Sequence, residues 1–259
     1  MSSPRRRSAS GVEARIARMI RKYVAFDIET AAHIANFRGD WRSFRPLGIT
    51  CAAALASDAE QAAVWHGKNP DGAPAARMSR AEARQLVDRL AALTAEGYTI
   101  LTWNGLGFDF EVLAEESGDL AACRELALAH VDMMFHVFCN RGYPVALDNA
   151  AKALRIPGKP QGMSGFLAPR LWAEGRHQEV LDYVADDVRI ALEIARRCEA
   201  ERRFQWITIQ GRRQAMPLAR GWLTVRQAIE LPEPDTSWMT RPIRRSRFTA
   251  WLATPHPGE

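Results

Sequence analysis

The sequence has little cysteine, and none of it is arranged for metal binding or redox exchange. No two of the four cysteines stand at Cys-x-x-Cys spacing: they are Cys51, Cys123, Cys139 and Cys198. This argues against a zinc site and against a redox dithiol. We therefore expect four small buried hydrophobic side chains in a protein of a reducing compartment.

Long hydrophobic runs are missing as well. No apolar run approaches the roughly 20 residues that a membrane-spanning helix needs. The first 22 residues, MSSPRRRSASGVEARIARMIRK, lack the apolar stretch of a signal peptide. Residues 1–22 instead predict a basic N-terminal tail. Together these features predict a cytoplasmic protein with no membrane partner.

A strong excess of charge of either sign is also absent. The 35 lysines and arginines stand against 30 acidic residues, which leaves a net charge of +5. That excess is too small to identify a nucleic-acid partner by itself. What the chain does have is length and apolar content, with 259 residues of which 47% are hydrophobic. This is enough for one large domain whose core needs no disulfide.

Residues 23–203 show the alternating strand and helix patterns of an α/β protein. The predicted strands cover residues 23–29, 47–57, 61–65 and 98–103. The predicted helices cover residues 79–95, 110–116, 119–129, 132–138, 147–154 and 177–203. Ser79 and Glu82 form the capping box that begins the first of these helices.

Residues 204–259 differ in composition and predict a C-terminal extension. They contain many arginines and four of the eight tryptophans, Trp206, Trp222, Trp238 and Trp251. Aromatic and basic side chains together suit a surface that binds a nucleic-acid strand. Because the tryptophans suit core positions equally well, we favour packing of this extension on the preceding domain over a role in strand binding.

The first of three acidic motifs is VAFDIET, in the first predicted strand. Strand side chains alternate between faces, so Asp27 and Glu29 share one face while Phe26 and Ile28 point to the other. The apolar alternation indicates a central strand, where two neighbouring carboxylates lose hydration and repel each other. A divalent metal ion is the simplest compensation. The alternative is an edge strand with both acids in solvent.

The second and third motifs each contribute one more candidate acid. In ILTWNGLGFDFEVL, a strand enters a glycine-rich turn and Asp109 begins a helix, where it could also be a simple N-terminal cap. In LDYVADDVRIAL, Tyr183 and Asp187 stand four residues apart and share a helix face, whereas Asp186 points elsewhere. A buried tyrosine bonded to a carboxylate in a helical core would give the same pattern.

Taken together, the three motifs resemble the DEDD superfamily of 3′-5′ exonucleases in its tyrosine form. The form D-x-E, N-x-x-x-[FY]-D, Y-x-x-x-D occurs here in order in Asp27, Glu29, Asn104, Phe108, Asp109, Tyr183 and Asp187. The chain is similar in this respect to the proofreading domains of family B DNA polymerases and to ribonuclease D. His177 and Asp182 also fit the histidine form of the third motif, although the surrounding residues match the tyrosine form.

The resemblance implies a ribonuclease-H-like fold, a mixed five-stranded sheet flanked by helices, over residues 23–203. It implies two divalent cations, Mg²⁺ or Mn²⁺, in sites of this kind about 3.5–4 Å apart. By analogy Asp27 would bridge both ions, Glu29 and Asp187 would complete one site, and Asp109 would hold the other. Tyr183 would orient the attacking water.

The implied substrate is the 3′ end of a single strand, with DNA favoured over RNA. Four side chains are candidates for substrate contacts, two aromatic and two polar: Trp103, Phe108, Asn104 and Lys159. Core packing for Trp103 and plain surface exposure for Lys159 are the competing interpretations. A catalytically inactive nucleic-acid-binding or scaffold module, and a structure-specific endonuclease, remain the alternative functions.

Overall fold

The computed structural model describes residues 21–34, 39–158 and 165–253. Most of the predicted N-terminal tail, including Arg5, Arg6 and Arg7, therefore lies outside the described residues, as does Lys159.

A five-stranded sheet in the order β3-β2-β1-β4-β5 forms the centre of the fold. Its strands are β1 (Tyr23–Thr30), β2 (Ile49–Ala56), β3 (Ala63–His66), β4 (Thr99–Thr102) and β5 (Val131–Asp132). β1 pairs antiparallel with β2 and parallel with β4. The predicted mixed five-stranded sheet is thus confirmed, and the edge-strand interpretation of β1 is wrong because β1 has a partner on each side.

Helices flank this sheet close to their predicted positions. They are α1 (Arg80–Ala95), α2 (Asp109–Ser117), α3 (Leu120–Ala129), α4 (Met133–Arg141), α5 (Leu147–Leu154), α6 (Ala168–Ala173), α7 (His177–Ala200), α8 (Val225–Ile229) and α9 (Ser246–Thr249). The side chains of Ser79 and Glu82 exchange hydrogen bonds with each other's backbone N–H, so the predicted capping box of α1 is confirmed. The short strand β5 and helix α6 were not predicted, because neither is long enough to show a period.

The alternation of side chains along β1 separates two hydrophobic cores. Val24, Phe26 and Ile28 belong to the core that also contains the buried side chains of α1 and α2. Tyr23 and Ala25, on the other face, belong to the core built with α7. The acids of β1 therefore lie on the α7 side of the sheet, as the period-two pattern predicts.

The C-terminal residues complete both cores. A hairpin of β6 (Arg203–Ile207) and β7 (Arg213–Pro217) contributes to the core beneath α7, together with the fully buried Trp222. Phe248 and Trp251 contribute to the core on the opposite side of the sheet. Trp238, by contrast, is 66% exposed. All four cysteines are buried and free, as expected.

The longest described helix, α7, is also the only one long enough to be considered as a membrane span, and it carries charged residues along its outer face, among them Glu179, Arg189 and Arg197. Within the described part of the chain, no helix combines the length and the apolar character that crossing a bilayer requires.

Candidate active site

β1 places two carboxylates side by side near its carboxyl end. Asp27 is partly exposed, whereas Glu29 is only 6% exposed, and both point to the α7 side of the sheet. The small residues Ala53 and Cys51 lie opposite them on β2, so no bulky neighbour fills the space above the two acids. The strand thus presents two oxygen-donor groups to a common space.

Asp109 reaches the same place from the turn after β4. It is the first residue of α2 and not its cap, because Phe108 occupies the cap position. Its Oδ1 accepts a hydrogen bond of 3.2 Å from the backbone N–H of Ile28. Asp109 and Asp27 also share a side-chain hydrogen bond. The interpretation of Asp109 as a simple cap is wrong.

α7 brings Tyr183 and Asp187 to the two acids of β1. Both side chains are buried, and Tyr183 shares a hydrogen bond with Asp187. Oxygens of Asp27, Glu29 and Asp187 all lie within 4.8 Å of one another. Asp186 points away and pairs with Arg189 at 3.1 Å. Acids from three distant stretches of the chain therefore meet at one point.

The electrostatics of this cluster are those of several carboxyl groups held close together. Burial raises the pKa of Asp27 well above its usual range, and the charges of Asp109, Asp187 and Glu29 raise it further. Burial likewise raises the pKa of Asp109 to about 7. The pKa of Tyr183 is raised by burial and then by Asp187, so its hydroxyl stays protonated at neutral pH. Each of these shifts opposes negative charge.

The donor set fits a hard divalent cation. Carboxylate oxygens are the ligands that Mg²⁺ and Mn²⁺ prefer, and Asp27, Glu29 and Asp187 each offer one within a span that a single ion can bridge. A bound cation would also favour the charged form of each acid and so lower its pKa.

The raised pKa of Asp109 predicts how pH affects the stability of the metal-free protein. The folded state keeps a proton that the unfolded state releases between pH 4 and pH 7, so the free energy of unfolding from this group falls as pH rises through that window. The buried His130 and His136, whose pKa values fall to about 3 and about 4, contribute with the opposite sign. We therefore expect the free energy of unfolding of Asp109→Asn to rise, relative to that of the wild type, by a few kcal/mol as the pH is raised from 5 to 8.

Urea unfolding in chelator at both pH values measures this difference. The two histidines are common to both proteins and cancel in the comparison. If the free energy of unfolding changes with pH in the same way in the wild type and in Asp109→Asn, the pKa of Asp109 is not raised in the folded state.

A cavity of about 530 Å³ opens over the carboxylates. The predicted substrate-binding residues Trp103, Asn104 and Phe108 line it, together with Trp41 and Phe166. The cavity is of the size and mostly apolar character of small-molecule and cofactor sites. Trp103 also packs against both cores, so the core interpretation and the pocket interpretation hold at once.

Trp41 is a pocket residue that the sequence did not reveal. It lies in a short 3-10 helix between β1 and β2 and contacts Phe108 edge to face, with ring centroids 5.1 Å apart. Arg42 and Arg45 hold this helix in place, since both pair with the buried Glu111 of α2. No spacing within the sequence connects Trp41 to the three motifs.

Asp132 is a second residue whose role the sequence did not show. Its carboxylate accepts backbone N–H groups from Asn104 at 3.0 Å, Leu106 at 2.9 Å and Phe135 at 2.9 Å. It therefore caps α4 and also fixes the turn that carries Asn104, whose φ of 74° is left-handed. The cap could be read from the pattern, whereas the contacts with the turn could not.

The two residues of the histidine form of the third motif, His177 and Asp182, lie outside the cavity over the carboxylates. The His177 ring packs against Trp172 in a tilted arrangement, with ring centroids 4.6 Å apart, and Asp182 is exposed and accepts a hydrogen bond from Gln178. Neither is among the residues that line the cavity.

Comparison with known proteins places this geometry in a family. A family model described as the RNase_H superfamily matches residues 56–198, which begin after the acids of β1. The family B DNA polymerase of the hyperthermophilic archaeon Pyrobaculum calidifontis is 19% identical, with a TM-score of 0.51 over 69% of this chain and 24% of the polymerase. No curated protein matches the sequence.

E. coli exonuclease I, in complex with a dT13 oligonucleotide, is 18% identical, with a TM-score of 0.37 over 70% of this chain and 41% of the exonuclease. The chain thus spans less than half the length of these solved proteins. The likeness to the polymerase shows the fold, which is ribonuclease-H-like as the motifs predict.

Proposed function

The chain belongs to the RNase_H superfamily, and from that premise we propose that it is a metal-dependent nuclease that removes nucleotides from the 3′ end of a single strand. The observation that carries the proposal is the meeting of Asp27, Glu29 and Asp187 within 4.8 Å, at the floor of an open cavity. Carboxyl groups held so close together repel one another and perturb each other's pKa, an arrangement typical of functional sites.

Asp27, Glu29 and Asp187 would hold Mg²⁺ or Mn²⁺, and Asp109 would help to hold a second ion. Such ions supply Lewis acidity: they make water a stronger nucleophile and stabilise charge on the phosphate and on the leaving 3′ oxygen. The hydrogen bond between Asp27 and Asp109 would then be replaced, because both groups become fully ionised.

Tyr183 has the properties of a positioning donor. Its hydroxyl is kept protonated by burial and by Asp187, and it lines the cavity beside the acids. A protonated hydroxyl can donate to a phosphate oxygen or orient the attacking water, and it cannot act as a general base at neutral pH. We assign it the orienting role.

The aromatic wall of the cavity suits the terminal base. Phe108, Trp41 and Trp103 offer apolar ring surface, and base stacking on such rings is worth about 1–3 kcal/mol per base. Asn104, held in place by Asp132, stands at the same wall and can reach sugar or phosphate. Stacking tolerates any base, so we expect no strong sequence preference. Preference for DNA and a cytoplasmic location stay predictions from the sequence.

A set of labelled oligonucleotides tests the proposal. With Mg²⁺ or Mn²⁺, we expect 5′-labelled single strands to shorten stepwise from the 3′ end, and chelator to stop the reaction. Matched DNA and RNA strands establish the substrate preference, and a circular single strand must stay intact. Cleavage of the circle would mean an endonuclease. Binding of linear strands without any cleavage under either metal would mean an inactive binding module, and the proposal would fail.

A further inference from the structure

The turn between β4 and α2, residues 103–108, is in contact with the C-terminal segment, residues 245–251. This segment lies beyond residues 56–198, to which the family model applies. It is nevertheless in direct contact with the turn that carries Asn104 and Phe108 and leads into Asp109.

Trp251 makes the most direct of these contacts. Its indole Nε1 donates a hydrogen bond of 2.8 Å to the carbonyl of Leu106, a residue 145 positions away in the chain. Trp251 is 7% exposed and Leu106 is fully buried, so water cannot replace the bond. Loss of the indole N–H would leave a buried carbonyl unsatisfied, at a cost of about 1–3 kcal/mol.

Phe248 closes the space beside the next residue of the turn. A Cβ at Gly107 would lie 2.7 Å from a ring carbon of Phe248 and 2.7 Å from the side-chain oxygen of Asn104. The Phe248 ring is itself fixed, because it packs on Phe138 with centroids 4.7 Å apart. Gly107 therefore sits between the C-terminal segment and a pocket residue, with no room for a side chain of its own.

A second indole holds the neighbouring carbonyl. Trp41 Nε1 donates to the carbonyl of Gly107 at 3.3 Å, and Arg42 Nη2 donates to the carbonyl of Arg247 at 3.3 Å. Two successive carbonyls of the turn are thus fixed by two tryptophans, one from the loop after β1 and one from the C-terminal segment. The loop and the segment are also bonded to each other.

We propose that Trp251 and Phe248 are positioning residues for Asp109, so that the C-terminal segment is a structural part of the active site. The inference rests on the proposed function. The turn leads directly into the first residue of α2, and Asp109 must stay within reach of Asp27 and the Ile28 N–H. A misplacement of about 1 Å at such a group can cost roughly a hundredfold in rate.

Trp251→Phe tests the proposal, because it keeps an aromatic ring in the core and removes the N–H donor. Trp238→Phe is the matched control: the Trp238 indole also donates to a backbone carbonyl, that of Asp235 at 3.2 Å, but the side chain is exposed and its ring packs on Tyr143. We expect Trp251→Phe to lower kcat roughly tenfold to a hundredfold with KM little changed, and Trp238→Phe to leave both unchanged.

Amide hydrogen exchange provides a readout that needs no activity. Faster exchange is expected in residues 104–109 of Trp251→Phe, at a temperature where the variant is fully folded. A variant that is less stable but shows wild-type kcat and wild-type exchange in the turn would identify Trp251 as a core residue only and would overturn the proposal. A wild type without nuclease activity would instead overturn the proposed function, and the exchange measurement would then decide the positioning claim alone.

Discussion

Replacement of Asp27 by Asn is expected to lower the rate of phosphodiester hydrolysis at least about a thousandfold, because it removes one of the carboxylates that we propose as ligands of the catalytic metal, which supplies several kcal/mol. The same change is expected to raise the melting temperature of the metal-free protein. Asn has the shape of Asp but cannot take on the negative charge that Asp109, Asp187 and Glu29 all oppose. A loss of activity with a gain of stability distinguishes a functional acid from a structural one.

Asp182→Asn is the matched control for this prediction. Asp182 stands on α7, five residues before Asp187, but is exposed to solvent. We expect wild-type activity and wild-type stability from it, and near-complete loss of activity from Asp187→Asn. Loss of activity in Asp182→Asn with retention in Asp187→Asn would mean that the histidine form of the third motif carries the reaction. Retention of activity by Asp27→Asn would contradict the assigned site altogether.

Asp132→Ala is expected to produce the largest loss of stability, about 3 kcal/mol or more, because it leaves three buried backbone N–H groups without an acceptor. Two of the three belong to the turn before Asp109, so activity should fall even under conditions where the variant is folded. Urea unfolding at pH 8 gives the free energy of unfolding. This pH is well above the pKa of about 6 to which burial raises the Asp132 carboxyl.

Asp119→Ala is the comparison for Asp132→Ala, because Asp119 is also a helix cap. Its side chain accepts a single backbone N–H, that of Ala122 at 3.1 Å, and pairs with Arg84 near the surface. We expect a loss of about 1 kcal/mol from it. Equal losses in the two variants would show that Asp132 acts only as a cap and not as an anchor for the turn.

Local and periodic features of this fold were readable from the sequence. The alternation of Phe26, Asp27 and Ile28 was enough to predict a central strand with its acids on one face, because a strand repeats every second residue. The Ser79–Glu82 capping box marked the start of α1 for the same reason, since its partners are three residues apart. The resemblance to the DEDD superfamily added the expectation that the three motifs meet.

The rest depends on contacts between residues far apart in sequence. Trp251 and Leu106 are 145 residues apart, and the tryptophans of the extension follow no period that identifies their partners. Asp132 could be recognised as a helix cap, but its bonds to the turn before α2 depend on the pairing of β4 with β5. Trp41 enters the cavity only because Arg42 and Arg45 bind Glu111, and neither arginine stands in a motif.

Crystals of the full chain soaked in Mn²⁺ test whether the clustered acids bind a metal ion, because anomalous scattering locates the ion without any assumption about activity. We expect an ion bound by oxygens of Asp27, Glu29 and Asp187, and no ion at this place in crystals of Asp27→Asn. Mn²⁺ bound only elsewhere on the protein, and not by these three carboxylates, would contradict the proposed metal site.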